Sequence, residues 1–214
     1  MKIAFLGDSI TLGYGLTDRN QRYSTIVSHN LKMEEQNFGI TGTLMAQAGL
    51  NRNDKNDFLS RVHLIDAADF AVVFGGTNDY FWSDCGIYGD DENSFCSAVK
   101  KLVECLIEGR DRKTVLFVTP YQHNGIGNFE GGKDWLDSNR HDTDTKNYNG
   151  HTLKDYVDVI AALCREYGVS CLNLYDDTDF DWEQHTIDGC HPNEIGHKII
   201  AARIEHAIRT ALLS

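Results

Sequence analysis

The chain has 214 residues, of which 41% are hydrophobic and 24% are charged, and its formal net charge is −12. These proportions are close to those of globular proteins, and they exclude a disordered or fibrous chain. The excess of acidic residues disfavours nucleic acid and anionic membrane surfaces as partners, because both attract basic patches.

The sequence contains no segment that predicts insertion into a membrane. No stretch reaches the roughly 18 apolar residues of a transmembrane helix, and the run from Ile3 to Leu6 is too short for a secretory signal. The six cysteines show no CxxC or paired spacing, which is typical of free thiols in a reducing compartment. We therefore expect a cytoplasmic protein if Met1 is the true start, with an exported form of a longer precursor as the alternative.

Apolar runs and amphipathic stretches alternate along the chain. In order, the patterns predict a strand at 2–7, a helix at 22–32, a strand at 34–39, a polar helical stretch through about Asp57, a strand at 69–76, a helix at 93–108, a strand at 113–120, a helix at 150–166, a strand at 169–174 and a helix at 193–213. Short apolar strands separated by helices are typical of a parallel sheet covered on both faces. We predict a three-layer α/β/α domain.

Residues 121–149 interrupt this alternation. The segment is polar and glycine-rich and shows no clear period. A loop of this length inside a compact domain is usually functional or disordered. Since the chain has no internal repeat and no linker, we predict one domain over 1–214 that carries this insertion.

Polar residues follow four of the five predicted strands. Asp8-Ser9 follows the first strand, NFGITG (37–42) spans the end of the second, GGTND (75–79) follows the third, and DGCH (188–191) follows the fifth after a loop. Ligands of open parallel sheets bind beyond the carboxyl ends of the strands. We expect these residues to meet at one edge of the sheet.

This set of residue types suits acyl transfer. The Ser9 hydroxyl needs a base to become a nucleophile, and His191 titrates in the appropriate range. Asp188, three residues before His191, can orient the imidazole. The backbone N–H groups of Ser9 and Gly42 and the side chain of Asn78 would supply donors to a developing oxyanion.

Each motif has a simpler explanation when it is taken alone. A Gly-Asp-Ser turn and an Asn78-Asp79 pair are common structural turns or caps. An Asp-x-x-His pair such as Asp188 and His191 could also be a surface contact or half of a metal site, but no third metal ligand is evident, and we predict no metal. Neither G-x-G-x-x-G nor a P-loop is present, which disfavours a flavodoxin-like cofactor binder, and we predict no cofactor.

Over essentially its whole length the chain resembles the SGNH, or GDSL, hydrolase family. The similarity lies in four blocks: the nucleophile block GDSIT (7–11), the glycine block NFGITG (37–42), the asparagine block GGTND (75–79) and the acid–histidine block DGCHPN (188–193). The ordinary α/β-hydrolase elbow is a poorer match, because Thr11 stands where G-x-S-x-G needs its last glycine.

The resemblance implies a fold, an activity and a role for each block. The fold is a flavodoxin-like sheet of five parallel strands in the order 2-1-3-4-5, and the activity is that of a serine esterase. Ser9 is the implied nucleophile, His191 the base and Asp188 its orienting acid. Ser9, Gly42 and Asn78 are the implied oxyanion donors.

Two residues near these blocks leave alternatives open. Gly39 lies in the same turn as Gly42, and we prefer Gly42 because it holds the final position of the block. Asp8 could be mistaken for the triad acid, but its position beside Ser9 favours a hydrogen-bonding support for the turn.

The motifs do not select a substrate, since the family spans lipases, lysophospholipases, thioesterases and carbohydrate O-deacetylases. The aromatic residues of YFW (80–82) and of the insertion lie among polar groups, a mixture that suits a sugar ring unless they simply fill the core. Our candidate substrate-binding residues are Asp8, Tyr80, Trp82 and Trp135. We predict hydrolysis of a small-molecule, short-chain ester, with an acetylated carbohydrate as first choice. The alternatives are a lysophospholipase- or thioesterase-type acylhydrolase and a catalytically silent binding module.

Overall fold

The computed structural model describes residues 1–46, 56–83, 86–89, 94–123, 146–147 and 149–213, and a β-sheet runs through their centre. The strands are β1 (Lys2–Gly7), β2 (Glu34–Gly39), β3 (Phe70–Phe74), β4 (Val115–Val118) and β5 (Ser170–Leu172). The α-helices are α1 (Ser9–Leu12), α2 (Tyr23–Leu31), α3 (Phe58–Arg61), α4 (Thr77–Trp82), α5 (Phe95–Ile107), α6 (Leu153–Tyr167), α7 (Trp182–His185) and α8 (Glu194–Leu213). Short 3₁₀ turns lie at Arg19–Gln21, Val62–Ile65 and Arg112–Thr114.

All strand pairs are parallel, and the order of the strands is β2-β1-β3-β4-β5. The predicted five-stranded parallel sheet of order 2-1-3-4-5 is confirmed. In the register, Gly7 at the end of β1 lies between Gly39 of β2 and Phe74 of β3. The residues that follow these three strands therefore emerge side by side at one edge.

The sheet divides the hydrophobic core into two halves, because successive side chains of a strand point to opposite faces. From β1, Ala4 and Leu6 enter one core cluster with residues of α5 and α6. Ile3 and Phe5 enter the other with residues of α2 and α8. Helices thus cover both faces, as expected for the three-layer arrangement.

Short helices directly after strands were not predicted. Ser9, expected in a turn, begins α1, and the carboxylate of Asp8 caps that helix by accepting a hydrogen bond from the Ile10 N–H. Asn78, also expected in a turn, lies in α4, where Gly76 at φ +108° forms the N-cap. These four- to six-residue helices are too short to show a helical period in the sequence.

Two other predictions differ from the structure or fall partly outside it. The predicted helical stretch through Asp57 has no helix at 40–46, and helix begins only at Phe58, while 47–55 lie outside the described residues. Within the insertion, 121–123, 146–147 and 149 contain no helix or strand. Trp135 and the aromatic residues Phe129 and Tyr148 also lie outside the described residues. Among the described helices, none combines the length and apolar character needed to span a bilayer.

Candidate active site

The Asp8–Ser9 turn places a serine at the carboxyl edge of the sheet. Gly7 is required there, since a Cβ on Gly7 would lie 1.9 Å from Thr11 Oγ1 and 3.0 Å from the Phe74 carbonyl oxygen. The chain can then enter α1 at once, because Asp8 Oδ1 accepts a hydrogen bond from the Ile10 N–H at 2.9 Å. Ser9 is buried at the start of this helix.

His191, 182 positions further along the chain, reaches the same point. Its Nε2 lies 2.9 Å from Ser9 Oγ, and its Nδ1 lies 2.6 Å from Asp188 Oδ2. The other carboxylate oxygen, Asp188 Oδ1, accepts hydrogen bonds from the backbone N–H groups of Cys190 and His191 at 3.0 and 2.7 Å. The structure therefore brings the three predicted triad residues into one hydrogen-bonded chain.

The environment of Asp188 keeps its carboxyl group ionised. Burial by itself would raise the pKa, but the hydrogen bonds from the side chain and backbone of His191 and from the Cys190 N–H outweigh it, so the pKa of Asp188 lies below its usual value. An ionised carboxylate accepts a hydrogen bond from the Nδ1–H group, and this selects the tautomer in which Nε2 is a hydrogen-bond acceptor. A lone pair on Nε2 then faces the Ser9 hydroxyl.

Asn78 lies between the nucleophile turn and the glycine turn. Its Nδ2 donates to Asp8 Oδ2 at 3.2 Å and to the Thr43 carbonyl oxygen at 3.1 Å. Thr43 directly follows Gly42, whose φ of +73° is in the left-handed region that favours glycine. Asn78 is thus held by residues on both sides, next to the two turns predicted to supply backbone donors.

The structure gives Gly39 a packing role. A Cβ on Gly39 would lie 2.3 Å from the Leu12 backbone N, so only glycine lets β2 approach α1 this closely. The Gly39 N–H donates to Asn37 Oδ1 at 3.0 Å. Gly42 stays our predicted donor of this turn.

Arg61 was not predicted as a site residue, and its side chain connects the ends of β1 and β2 through hydrogen bonds. This buried side chain donates from Nη2 to the Gly7 carbonyl oxygen at 3.2 Å and to Thr43 Oγ1 at 2.9 Å. It also donates from Nη1 to the Phe38 carbonyl oxygen and from Nε to the Asn56 carbonyl oxygen. Burial lowers its pKa, and nearby carboxylates oppose that shift. No pattern in the sequence singles out Arg61, because its helix has only four residues and most of its acceptors are backbone carbonyl groups.

Asp79, beside Asn78, fixes the chain that follows the glycine turn. Its two carboxylate oxygens accept hydrogen bonds from the Met45 and Ala46 N–H groups, each at 2.9 Å. Burial raises the pKa of Asp79 to about 7, with these hydrogen bonds acting in the opposite direction. The Asn-Asp pair predicted as a motif thus contains one residue that faces Asp8 and one that anchors a loop.

The predicted substrate-binding residues occupy different surroundings. Tyr80 is only 3% exposed and its ring packs against Phe81, His123 and Tyr156, which favours the alternative that this aromatic residue fills the core. Trp82 is half-buried against the same cluster. A direct contact of either ring with substrate stays a prediction.

Tyr14 is an aromatic neighbour of the site that was not predicted. Its ring centroid lies 4.5 Å from that of His191, and the two rings are inclined by 43°. Within the described residues, no group of three or more histidine, cysteine, aspartate or glutamate side chains is arranged to hold a metal ion.

Comparison with known proteins places the chain in a family. The family model of the GDSL-like Lipase/Acylhydrolase family matches residues 5–199. No curated protein matches the chain.

Solved structures share the whole fold. A protein from Lactobacillus plantarum is 27% identical, with a TM-score of 0.77 and coverage of 98% of this chain and 96% of that chain. A possible lipase from Chitinophaga pinensis is 19% identical, with a TM-score of 0.71 and coverage of 100% and 99%. An acetyl xylan esterase is 21% identical, with a TM-score of 0.66 and coverage of 97% and 99%. With the family match spanning most of its length, the chain belongs to the GDSL-like Lipase/Acylhydrolase family.

Proposed function

We propose that the protein is a serine hydrolase that cleaves carboxylic esters through Ser9, His191 and Asp188. The observation that carries this proposal is the continuous hydrogen-bonded chain from Asp188 Oδ2 through both nitrogens of His191 to Ser9 Oγ. Membership of an acylhydrolase family supports it.

In the acylation step, Ser9 Oγ attacks the ester carbonyl carbon while His191 Nε2 removes the hydroxyl proton. The ionised Asp188 stabilises the imidazolium that forms. The tetrahedral intermediate collapses when the C–O bond to the alcohol breaks and Nε2 gives its proton to the departing oxygen. The acyl group is left as an ester on Ser9.

In the deacylation step, water attacks the acyl-serine ester with His191 again acting as base. The C–O bond to Ser9 Oγ then breaks, and the proton held by His191 returns to that oxygen. The products are the carboxylic acid and the free enzyme. With the ester and one water as reactants the step balances, because His191 takes a proton from the water and returns it to Ser9 Oγ.

Asn78 would stabilise the oxyanion together with the N–H groups of Ser9 and Gly42. In the absence of substrate, both hydrogens of the Asn78 amide point at protein acceptors, at 3.1 and 3.2 Å. These lengths are at the long end of the N–H···O range, so a stronger acceptor can compete with the neutral Thr43 carbonyl oxygen for its hydrogen bond. An oxyanion is such an acceptor, since hydrogen bonds to charged groups are shorter and stronger than neutral ones.

For the substrate we propose a short-chain ester, with acetylated carbohydrates as the first class to examine. An acetyl xylan esterase shares this fold, and the polar insertion at 121–149 contains aromatic residues among polar groups. Lysophospholipids and thioesters are the competing acyl substrates.

A panel of esters tests this proposal. The panel contains p-nitrophenyl esters of increasing acyl length, an acetylated xylose derivative, a lysophospholipid and an acyl thioester, each assayed with the wild-type protein and with Ser9→Ala. We expect the wild type to hydrolyse the short-chain esters best and Ser9→Ala to have no activity. A folded wild-type protein that hydrolyses none of them would instead be a catalytically silent binding module.

A further inference from the structure

Two exposed apolar side chains lie beside the proposed base. Tyr14 is 48% exposed and its ring packs against His191, while Ile187 is 49% exposed and directly precedes Asp188. Gly15, next to Tyr14 in the chain, packs against Ile187, because a Cβ on Gly15 would lie 2.1 Å from Ile187 Cδ1. We call Tyr14, Gly15 and Ile187 the His191 rim.

The backbone of the rim is fixed to the triad residues themselves. The Tyr14 N–H donates to the Ser9 carbonyl oxygen at 2.9 Å, and the Ile187 N–H donates to the His191 carbonyl oxygen at 2.8 Å. Gly13 and Gly15 flank Tyr14 with φ of +78° and +81°, so tight left-handed turns present this side chain. These hydrogen bonds link the rim directly to Ser9 and His191, while the side chains of Tyr14 and Ile187 are exposed to solvent.

The proposed mechanism decides which part of an ester reaches this rim. His191 Nε2 must protonate the departing alcohol oxygen, which requires that oxygen within about 3 Å of Nε2. The carbonyl oxygen points instead toward Asn78 and Gly42. The substituents of the alcohol then extend beside the imidazole, where the exposed ring of Tyr14 lies.

We propose that Tyr14 and Ile187 form the subsite for the leaving alcohol, and that this subsite favours alcohols built on a six-membered ring. The proposal rests on the esterase function proposed above. An aromatic face beside an aliphatic side chain offers a flat apolar surface, and the apolar face of a pyranose or aryl ring matches it. A small acyclic alcohol is too short to cover both residues.

Tyr14 also has a simpler explanation, since it could act only by holding the imidazole of His191 in place. The two roles have different consequences. A residue that merely positions His191 changes the turnover of every ester by the same factor. A residue that contacts the alcohol changes only the esters whose alcohol reaches it.

The test compares acetates that differ in the alcohol alone. Ethyl acetate has a small acyclic alcohol, phenyl acetate has an aryl ring, and an O-acetylated methyl xylopyranoside has a sugar ring. Phenyl butyrate is added to vary the acyl group. The value compared is kcat/KM, because it includes only steps at which the alcohol is still bound.

We expect Tyr14→Ala to lower kcat/KM for a ring acetate by about three- to tenfold relative to ethyl acetate, as expected for one lost aromatic contact. Tyr14→Phe should keep the wild-type preference, and Ile187→Ala should shift it in the same direction as Tyr14→Ala. Leu64→Ala is the matched control, because Leu64 is an exposed apolar residue just before β3, at the opposite edge of the sheet. Leu64→Ala should leave kcat/KM unchanged for all four esters.

The choice of substrates distinguishes a subsite for a sugar ring from a subsite for an aryl ring. A loss confined to the xylopyranoside identifies a sugar subsite, and an equal loss on phenyl acetate identifies a subsite for any flat ring; both support the proposal. An equal loss on ethyl acetate, or a changed ratio between phenyl acetate and phenyl butyrate, overturns it. If the wild type hydrolyses no ester, both the subsite and the proposed function are overturned. If hydrolysis depends on Ser9 but Tyr14→Ala keeps the wild-type preference among the alcohols, only the subsite is overturned.

Discussion

Asn78 Nδ2 donates a hydrogen bond to Asp8 Oδ2 at 3.2 Å, which joins the proposed oxyanion donor to the residue just before the proposed nucleophile. The second oxygen of Asp8 caps α1 through the Ile10 N–H. Burial raises the pKa of Asp8 to about 6, while the Ile10 hydrogen bond and the nearby His191 and Arg61 oppose that rise. One buried carboxyl group therefore fixes both the helix that begins at Ser9 and the amide of Asn78.

The Asp8–Asn78 contact predicts that the two residues act as one unit. Asn78→Ala removes an oxyanion donor, and we expect kcat to fall by about 10²–10³ with little change in KM. Asp8→Asn places a second amide opposite Asn78 and should lower kcat by roughly tenfold, less than loss of the donor itself. The double variant should be no slower than Asn78→Ala alone. Steady-state kinetics with p-nitrophenyl acetate measures all three variants, and fully additive losses would show that Asp8 acts independently.

Replacing Asp188 should disable the base without unfolding the chain. Asp188→Asn loses the charge that orients His191 and stabilises the imidazolium, and in other triads this change costs about 10⁴ in kcat. Asp176→Asn is the control, since Asp176 is an exposed carboxylate with a hydrogen bond to Asn173. Circular dichroism should be unchanged for both variants, and hydrolysis of p-nitrophenyl acetate should be lost only in Asp188→Asn. Wild-type kinetics in Asp188→Asn would exclude it as the orienting acid.

Arg61 should affect stability and turnover together. Arg61→Lys keeps the charge, but an ammonium group cannot reproduce the planar fork that reaches Gly7, Phe38 and Thr43. We expect the free energy of unfolding in urea to fall by about 1–3 kcal/mol, because buried carbonyl groups lose their donors, and kcat to fall as well. The control for Arg61→Lys is the same substitution at a second arginine that also donates hydrogen bonds to main-chain carbonyl groups.

Arg110 is that matched control. It also donates to three main-chain carbonyl oxygens, those of Ile65, Asp66 and Ala68, but these precede β3 at the opposite edge of the sheet. Arg110→Lys should lower stability and leave kcat of the folded protein unchanged. Equal kcat values for wild type and Arg61→Lys would mean that Arg61 has no influence on the site.

Patterns along the chain predicted the sheet well, because most of its strands lie in short apolar runs bounded by polar residues, whereas β2 is polar except for Phe38 and Gly39. Lys2–Gly7 and Glu34–Gly39 have the predicted limits. The strand predicted at 69–76 ends at Phe74, since Gly75 and Gly76 already form the turn into α4. Local composition thus fixes where strands lie, and the turn residues decide where they end.

The contacts that organise the site were much harder to predict. Arg61 bonds to the carbonyl of Gly7, 54 positions away, and the acceptor is a backbone group that every residue carries. Asp79 similarly accepts from the N–H groups of Met45 and Ala46. Such bonds depend on tertiary placement alone. The motifs suggested Ser9, Asn78 and His191 as candidate site residues because their side-chain chemistry is distinctive, whereas these supporting residues have no motif of their own.

His197 predicts a pH dependence of stability. It is buried on α8, its Nδ1 accepts from the Tyr23 N–H at 3.2 Å, and burial lowers its pKa from 6.5 to about 4, with Arg22 and His191 acting in the same direction. Because the pKa is lower in the folded state, the unfolded chain binds the proton more tightly. The stability contributed by neutral His197 is present above pH 6.5 and is lost as the pH falls toward 4.

The variant His197→Asn isolates this effect, since an asparagine oxygen can accept near the position of Nδ1 but does not titrate. Between about pH 7 and about pH 4.5, the wild type should lose stability relative to the variant by on the order of 1–3 kcal/mol. Urea unfolding at the two pH values measures the difference. A difference that stays constant with pH would show that His197 is not held neutral by the fold.

Covalent labelling with a fluorophosphonate examines the nucleophile itself. The reagent should attach to one residue, and mass spectrometry of the digested protein should place the label on the peptide that contains Ser9. Ser9→Ala should prevent labelling and His191→Ala should slow it strongly, because the hydroxyl then lacks its base. Ser28→Ala, which removes a buried hydroxyl bonded to the Ser24 carbonyl, should label at the wild-type rate. A label on a different residue, or labelling of Ser9→Ala at the wild-type rate, would contradict the assignment of Ser9 as the nucleophile.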